Sequence, residues 1–110
     1  MEYINSIEIQ GYVSSPSFTE IANSSVARFS LATEFAYKND KGTPVVETTW
    51  FSCMAFKSDE NDFSALQVGN FVNVKGRLKE RRYVSSEGIE KRYFEVICQS
   101  VKLAKWYGKH

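Results

Sequence analysis

The chain has 110 residues, of which 43% are hydrophobic, 25% charged and 15% aromatic. That length and balance suit a single globular domain with one modest core. With a net charge of only +1, overall charge neither points to nor excludes a polyanionic partner, so the placement of the charges has to decide.

Period-two alternation dominates the chain from its start. In residues 3–13, Ile7, Ile9 and Val13 share one face and Glu8 and Gln10 the other. A long polar loop, SSPSFTEIANSS, is expected next, with Pro16 setting a turn. In residues 26–35, Ala27, Phe29, Leu31 and Phe35 face one way and Arg28 and Ser30 the other. KNDKGTP then reads as a hairpin loop. The third strand, TTWFSCMAFKS over residues 48–58, is apolar on both faces. Trp50, Met54 and Phe56 lie on one side, and Phe51, Cys53 and Ala55 on the other. In SDENDFSALQVG, Ser58 is a candidate N-cap. Acids fill the first turn, Phe63 and Leu66 are spaced i, i+3, and Gly69 is a fitting stop, so a short helix is predicted here. Residues 71–83 alternate Val72, Val74 and Leu78 with Asn73 and a series of cations. SSEGIE is a second hairpin loop, and residues 93–103 supply the last strand. Five antiparallel strands with a short helix between the third and fourth is the plan of the OB-fold, a five-stranded Greek-key barrel of the all-β class. A small SH3-like barrel or another five-stranded sheet satisfies the periodicity almost as well; the position of the helix favours the OB-fold. Residues 1–104 are expected to form this domain, with 105–110 as a short extension.

The two cysteines, Cys53 and Cys98, lack CxxC or His-rich spacing, and the only histidine is the terminal His110, so no metal and no cofactor is expected. Buried free thiols are the expected state of both. The opening MEYINSIEIQ does not read as a signal peptide, and no run is long and apolar enough for a membrane span. The cytoplasm is the expected compartment. An enzyme is disfavoured, because no nucleophile–base pair, catalytic histidine or GxxxxGK[ST] loop occurs.

Charge is concentrated in KGRLKERRY, residues 75–83, where five cations stand against Glu80, a local charge of +4 that leaves −3 for the rest of the chain. Lys75, Arg77, Lys79 and Arg81 share strand parity with Tyr83. A solvated edge strand accounts for such a stripe about equally well. The aromatics shift the balance: Trp50 and Phe56 lie on one face of the third strand, while Tyr37 and Tyr83 precede the two long hairpins. Rings interleaved with cations suit single-stranded nucleic acid, whose bases stack on any flat ring and whose phosphates need neutralising. The competing account is packing, since Trp and Phe on strands are more often core than platform.

The segments INSIEIQGYVSSP, SSVARFSLAT, TTWFSCMAFKS and VGNFVNVKGRLKERRY, followed by RYFEV, resemble the bacterial single-stranded DNA-binding proteins of the replication type, over nearly the whole chain. The resemblance implies a homo-oligomer, a tetramer more than a dimer, that wraps single-stranded DNA in replication, recombination or repair. It places stacking rings at Tyr37, Trp50, Phe56 and Tyr83 and phosphate-binding cations at Lys57, Lys79, Arg81 and Arg82. Arg77 joins them on parity alone. It also implies that residues 3–9 lie at a subunit contact. The family usually continues into a flexible linker and an acidic tip that recruits other replication proteins. This sequence ends on KLAKWYGKH, so a tailless or truncated member is expected, and Trp106 and Tyr107 are expected to pack on the barrel. Two other functions fit the same residues: an accessory scaffold similar to primosomal replication protein N, and a protein-interaction module whose aromatics are core.

Overall fold

The computed structural model describes residues 2–105, so the expectation for Trp106 and Tyr107 lies outside the described residues. Five strands, β1 (Ile7–Ile21), β2 (Ser24–Lys38), β3 (Pro44–Phe56), β4 (Phe71–Val84) and β5 (Glu90–Leu103), close into a barrel in the order β1-β2-β3-β5-β4. The β3–β5 contact is parallel and the others antiparallel. This is the expected OB plan.

The inward residues follow the period of two. Val13, Phe29, Leu31, Cys53, Val74 and Val96 are among those forming one buried cluster, and Phe51 and Leu78 pack against it. The two greasy faces of β3 thus separate: Phe51, Cys53 and Ala55 turn inward, while Trp50 stays 60% and Phe56 46% exposed. Cys53 and Cys98 are both free and buried. A hydrogen bond to Cys98, together with burial, pushes the Cys53 thiol far above its ordinary value. Because both are buried, the two thiols should ignore a disulfide reagent until the protein is denatured, which a colorimetric thiol assay at neutral pH reads directly. The linkage has a sign. Above pH ~9 the unfolded chain loses this proton while the folded chain keeps it, so stability falls as pH rises through that region.

Four expectations are corrected. The long polar loop after the first strand is instead the second half of β1, paired with β2 out to Ile21↔Ser24. The hairpin closes on Ala22 and Asn23, both with positive φ (49° and 66°), as a tight two-residue turn of matching twist requires. Pro16 sets no turn; it sits at the bulge between Ser14 and Ser17, a place where a missing N–H is tolerated. The predicted helix shrinks to a single 3-10 turn, Phe63–Ala65, capped by Asp62 rather than Ser58. Its flanks are bonded to strands instead: Asp62 N–H to Val101 O, Val101 N–H to Glu60 O, and Gly69 N–H to Val13 O. Backbone donors engaged across the barrel mouth cannot also close a helical ladder. Finally, the first strand begins at Ile7, not at Tyr3.

Two hairpins run past the barrel wall. β3 meets β5 only over residues 52–55, so the β2–β3 ribbon beyond it is two-stranded. That is why Phe35, on the inward parity, is nonetheless exposed. The β4–β5 ribbon likewise continues unaccompanied to its turn.

Candidate nucleic-acid interface

Register places one continuous outer face across β2, β3, β5 and β4. Trp50 lies opposite Ala32, Ser52 opposite Ser30, and Met54 opposite Arg28. Across the parallel contact, Ser52 pairs with Glu95. On the far side of β5, Glu95 pairs with Lys79, Tyr93 with Arg81, and Lys91 with Tyr83. Residues directly opposite one another share a face. Trp50, Lys79, Arg81 and Tyr83, which lie on distant parts of the chain, therefore project from one wall. A shallow groove runs along it, lined by Ser15, Ser17, Arg28, Ser52, Tyr93 and Glu95 among others.

The wall does not gather every predicted residue. Trp50, Phe56, Lys79, Arg81 and Tyr83 lie on its parity, and Arg77 extends the row opposite Ile97. Phe56 is six residues from Trp50, roughly 20 Å along the strand, at the end of β3. Lys57 follows it, with its backbone bonded to Ser25, and lines a second groove with Phe18, Glu20 and Phe63. Tyr37 is on the opposite parity of the β2–β3 arm, its ring 6.1 Å from that of Phe35. Arg82 is on the opposite parity of the β4–β5 arm, where it pairs with Glu80 at 3.2 Å and Glu90 at 3.9 Å. Arg77, Lys79 and Lys57 make no ion pair with any other described residue. No close carboxylate among the described residues therefore holds these three ammonium or guanidinium groups, although Lys79 stands opposite Glu95 in register and Lys57 shares its groove with Glu20.

The family model for the Single-strand binding protein family matches residues 4–104. The chain belongs to that family. Single-stranded DNA-binding protein B of Bacillus subtilis (strain 168) is 32% identical over 82 residues, 74% of this chain and 71% of that protein. Single-stranded DNA-binding protein 1 of Staphylococcus aureus (strain COL) is 34% identical over 79 residues, 71% of this chain and 46% of that protein, so the chain spans about half of its length. Among solved structures, the small single-stranded DNA-binding protein from Streptomyces coelicolor superposes with a TM-score of 0.71 at 29% identity, over 94% of this chain and 96% of that one. The SSB of Plasmodium falciparum, solved in complex with ssDNA, reaches 0.80 over 96% of this chain and 98% of that one; at 21% identity this is a likeness of fold.

In this single-strand binding family member the wall holds two residues that the sequence reading leaves out of the site. Tyr93 stands edge-on to Tyr83, ring centroids 6.0 Å apart, and widens the aromatic surface at the base of the β4–β5 arm. Arg28 reaches Met54 Sδ at 3.6 Å and helps to bury it. Strand parity could have found both, because Arg28 alternates with the core residues Ala27 and Phe29, and Tyr93 with Phe94; only the β3–β5 pairing, however, shows that these parities meet on one face. No group of three or more His, Cys, Asp or Glu side chains able to hold a metal occurs among the described residues.

Proposed function

We propose that the chain binds single-stranded DNA without reading its sequence, by stacking bases on aromatic rings and neutralising phosphates with Lys and Arg. The observation that carries this reading is the single outer wall. It joins a largely exposed tryptophan, Trp50, to the Tyr83–Tyr93 pair through a row of cations that includes the unpaired Lys79. Exposed rings cost apolar hydration, and such a patch on a folded domain marks a binding surface. The Single-strand binding protein family match and the ssDNA bound to the Plasmodium falciparum relative support the same ligand.

In this reading Tyr37, Trp50, Phe56 and Tyr83 are the stacking rings, and Lys57, Arg77, Lys79, Arg81 and Arg82 are the cations. Tyr37 and Arg82, on the far faces of the two arms, serve a strand that wraps around those arms rather than one that only crosses the wall. Wrapping is what a homo-oligomer does with a long strand, and a tetramer fits best. Tyr3 and Ile4, 84% and 96% exposed, are the residues such an assembly would cover. The work is that of replication, recombination or repair in the cytoplasm, on nucleoid DNA. Light scattering tests the assembly: a mass of four chains is expected, and a dimer would favour the accessory-scaffold role.

The deciding experiment is a titration of labelled oligo-dT, oligo-rU and duplex at two salt concentrations. Tight binding to oligo-dT, weak binding to duplex and a log–log loss of affinity of about 0.7 per phosphate contacted are expected. Unchanged anisotropy with oligo-dT at low salt would end the proposal.

A further inference from the structure

Among the described residues Glu95 is the one buried charged side chain, 4% exposed, at the centre of the outer wall. A carboxylate in that position has to be paired. Two guanidiniums face it, and they are not equivalent. Arg81 Nε donates to Glu95 Oε1 at 2.9 Å, and its side chain is only 29% exposed. Arg28 Nε stands 3.9 Å from Glu95 Oε2, and its side chain is 56% exposed. Both arginines also cross Met54 Sδ, at 3.6 Å from Arg28 and 3.8 Å from Arg81. Withdrawing Arg81 toward a ligand would leave Glu95 buried with only a distant partner. Withdrawing Arg28 breaks no short contact with the carboxylate.

We infer that Arg28 is the phosphate-contacting cation of the central wall, and that Arg81 is a positioning residue whose task is to neutralise Glu95. One carboxylate and two guanidiniums leave a charge of +1, and the geometry assigns that charge to Arg28. Its surroundings fit a sugar–phosphate backbone: the groove beside it carries the hydroxyls of Ser15, Ser17, Ser30, Ser52 and Tyr93. Trp50, two residues from Ser52 on the same face, would hold a base next to that backbone. The inference rests on the single-stranded DNA reading above and revises it at one position: Arg81, counted there among the phosphate cations, supports the site through Glu95 instead.

The test measures the salt dependence of oligo-dT affinity for the full chain and four variants. Arg28→Gln should reduce the slope of log K against log salt by about 0.7, the share of one single-strand phosphate, with the melting temperature unchanged. Arg28→Lys should restore the slope. Arg81→Gln should weaken binding at every salt concentration, because it exposes the Glu95 charge, and adding Glu95→Gln to it should recover affinity. A wild-type slope in Arg28→Gln overturns the inference, and so does an Arg81→Gln slope lowered by about 0.7 with no recovery from Glu95→Gln. Should the Arg81 variants fail to fold, the exposed-site pair Arg28→Gln and Arg28→Lys still decides. Absence of oligo-dT binding by the wild type is a different failure, of the proposed function itself, and takes the inference with it.

Discussion

Replacing Trp50 by Ala should weaken binding to oligo-dT by about 1–3 kcal/mol, roughly 5- to 150-fold, while leaving the folded protein as stable as before. The two halves of that result come from one fact. Trp50 is 60% exposed on a strand whose opposite face, through Phe51, Cys53 and Ala55, fills the core. Little of its ring is buried by the protein, so little folding energy is lost with it. A stacked base would bury the ring instead, and that is the contact the variant removes. Anisotropy of labelled oligo-dT gives the affinity and thermal denaturation gives the stability. Unchanged affinity would remove Trp50 from the site. A large fall in melting temperature would return it to the core account of these aromatics. Tyr83→Ala should behave in the same way with a smaller loss, since its ring is smaller and already contacts Tyr93.

Gly76→Ala should act on the fold rather than the ligand, with a loss on the order of 3 kcal/mol and a melting temperature lowered by roughly 13 °C. Gly76 lies where β4 slips register against β5, and a Cβ there would run into the Ile97 carbonyl and the Cys98 Cα. Both obstacles are backbone, so no rotamer change can relieve them. The strands would have to part within the stretch, residues 72–76, where β4 is paired with both β1 and β5. Gly42→Ala provides the contrast. Its Cβ would meet nothing, and only the positive φ of 75° opposes it, a cost of about 1 kcal/mol. Chemical denaturation of the two variants separates the effects. Equal losses would mean that the barrel wall yields at Gly76 more readily than a closed sheet should.

The stripe of cations on β4 shows how far residue types alone can carry a binding site. Lys79 and Arg81 look alike in the sequence, at alternate positions of one strand, and both were candidates for phosphate. In the barrel Lys79 is unpaired among the described residues, whereas Arg81 is bonded to Glu95. Nothing local distinguishes them, because Glu95 comes from another strand, 14 residues away. Arg82 could be moved off the face by parity alone, and Tyr37 likewise, since side chains alternate strictly along a strand. The mistaken helix has a similar cause. Ser58, the acids after it and the Phe63–Leu66 spacing all satisfy local helix rules, but only three residues make a 3-10 turn, and backbone groups of Glu60, Asp62 and Gly69 bond to β5 and β1.

Although the second half of β1 read as a loop and alternation also admitted an SH3-like barrel, the sequence by itself determined five strands and the inward parity of each within the barrel. These follow from alternation, and a buried face tolerates only one register. It also determined the residue types available for stacking and for phosphate. Which of them share a surface was decided only by the tertiary structure. The parallel pairing of β3 with β5 sets Ser52 beside Glu95, which puts Trp50 and Tyr93 on one parity, and β4 completes the wall. The physical reason is range: alternation is a property of a few neighbouring residues, whereas the partner of a charge or a ring is set by closure of the whole barrel.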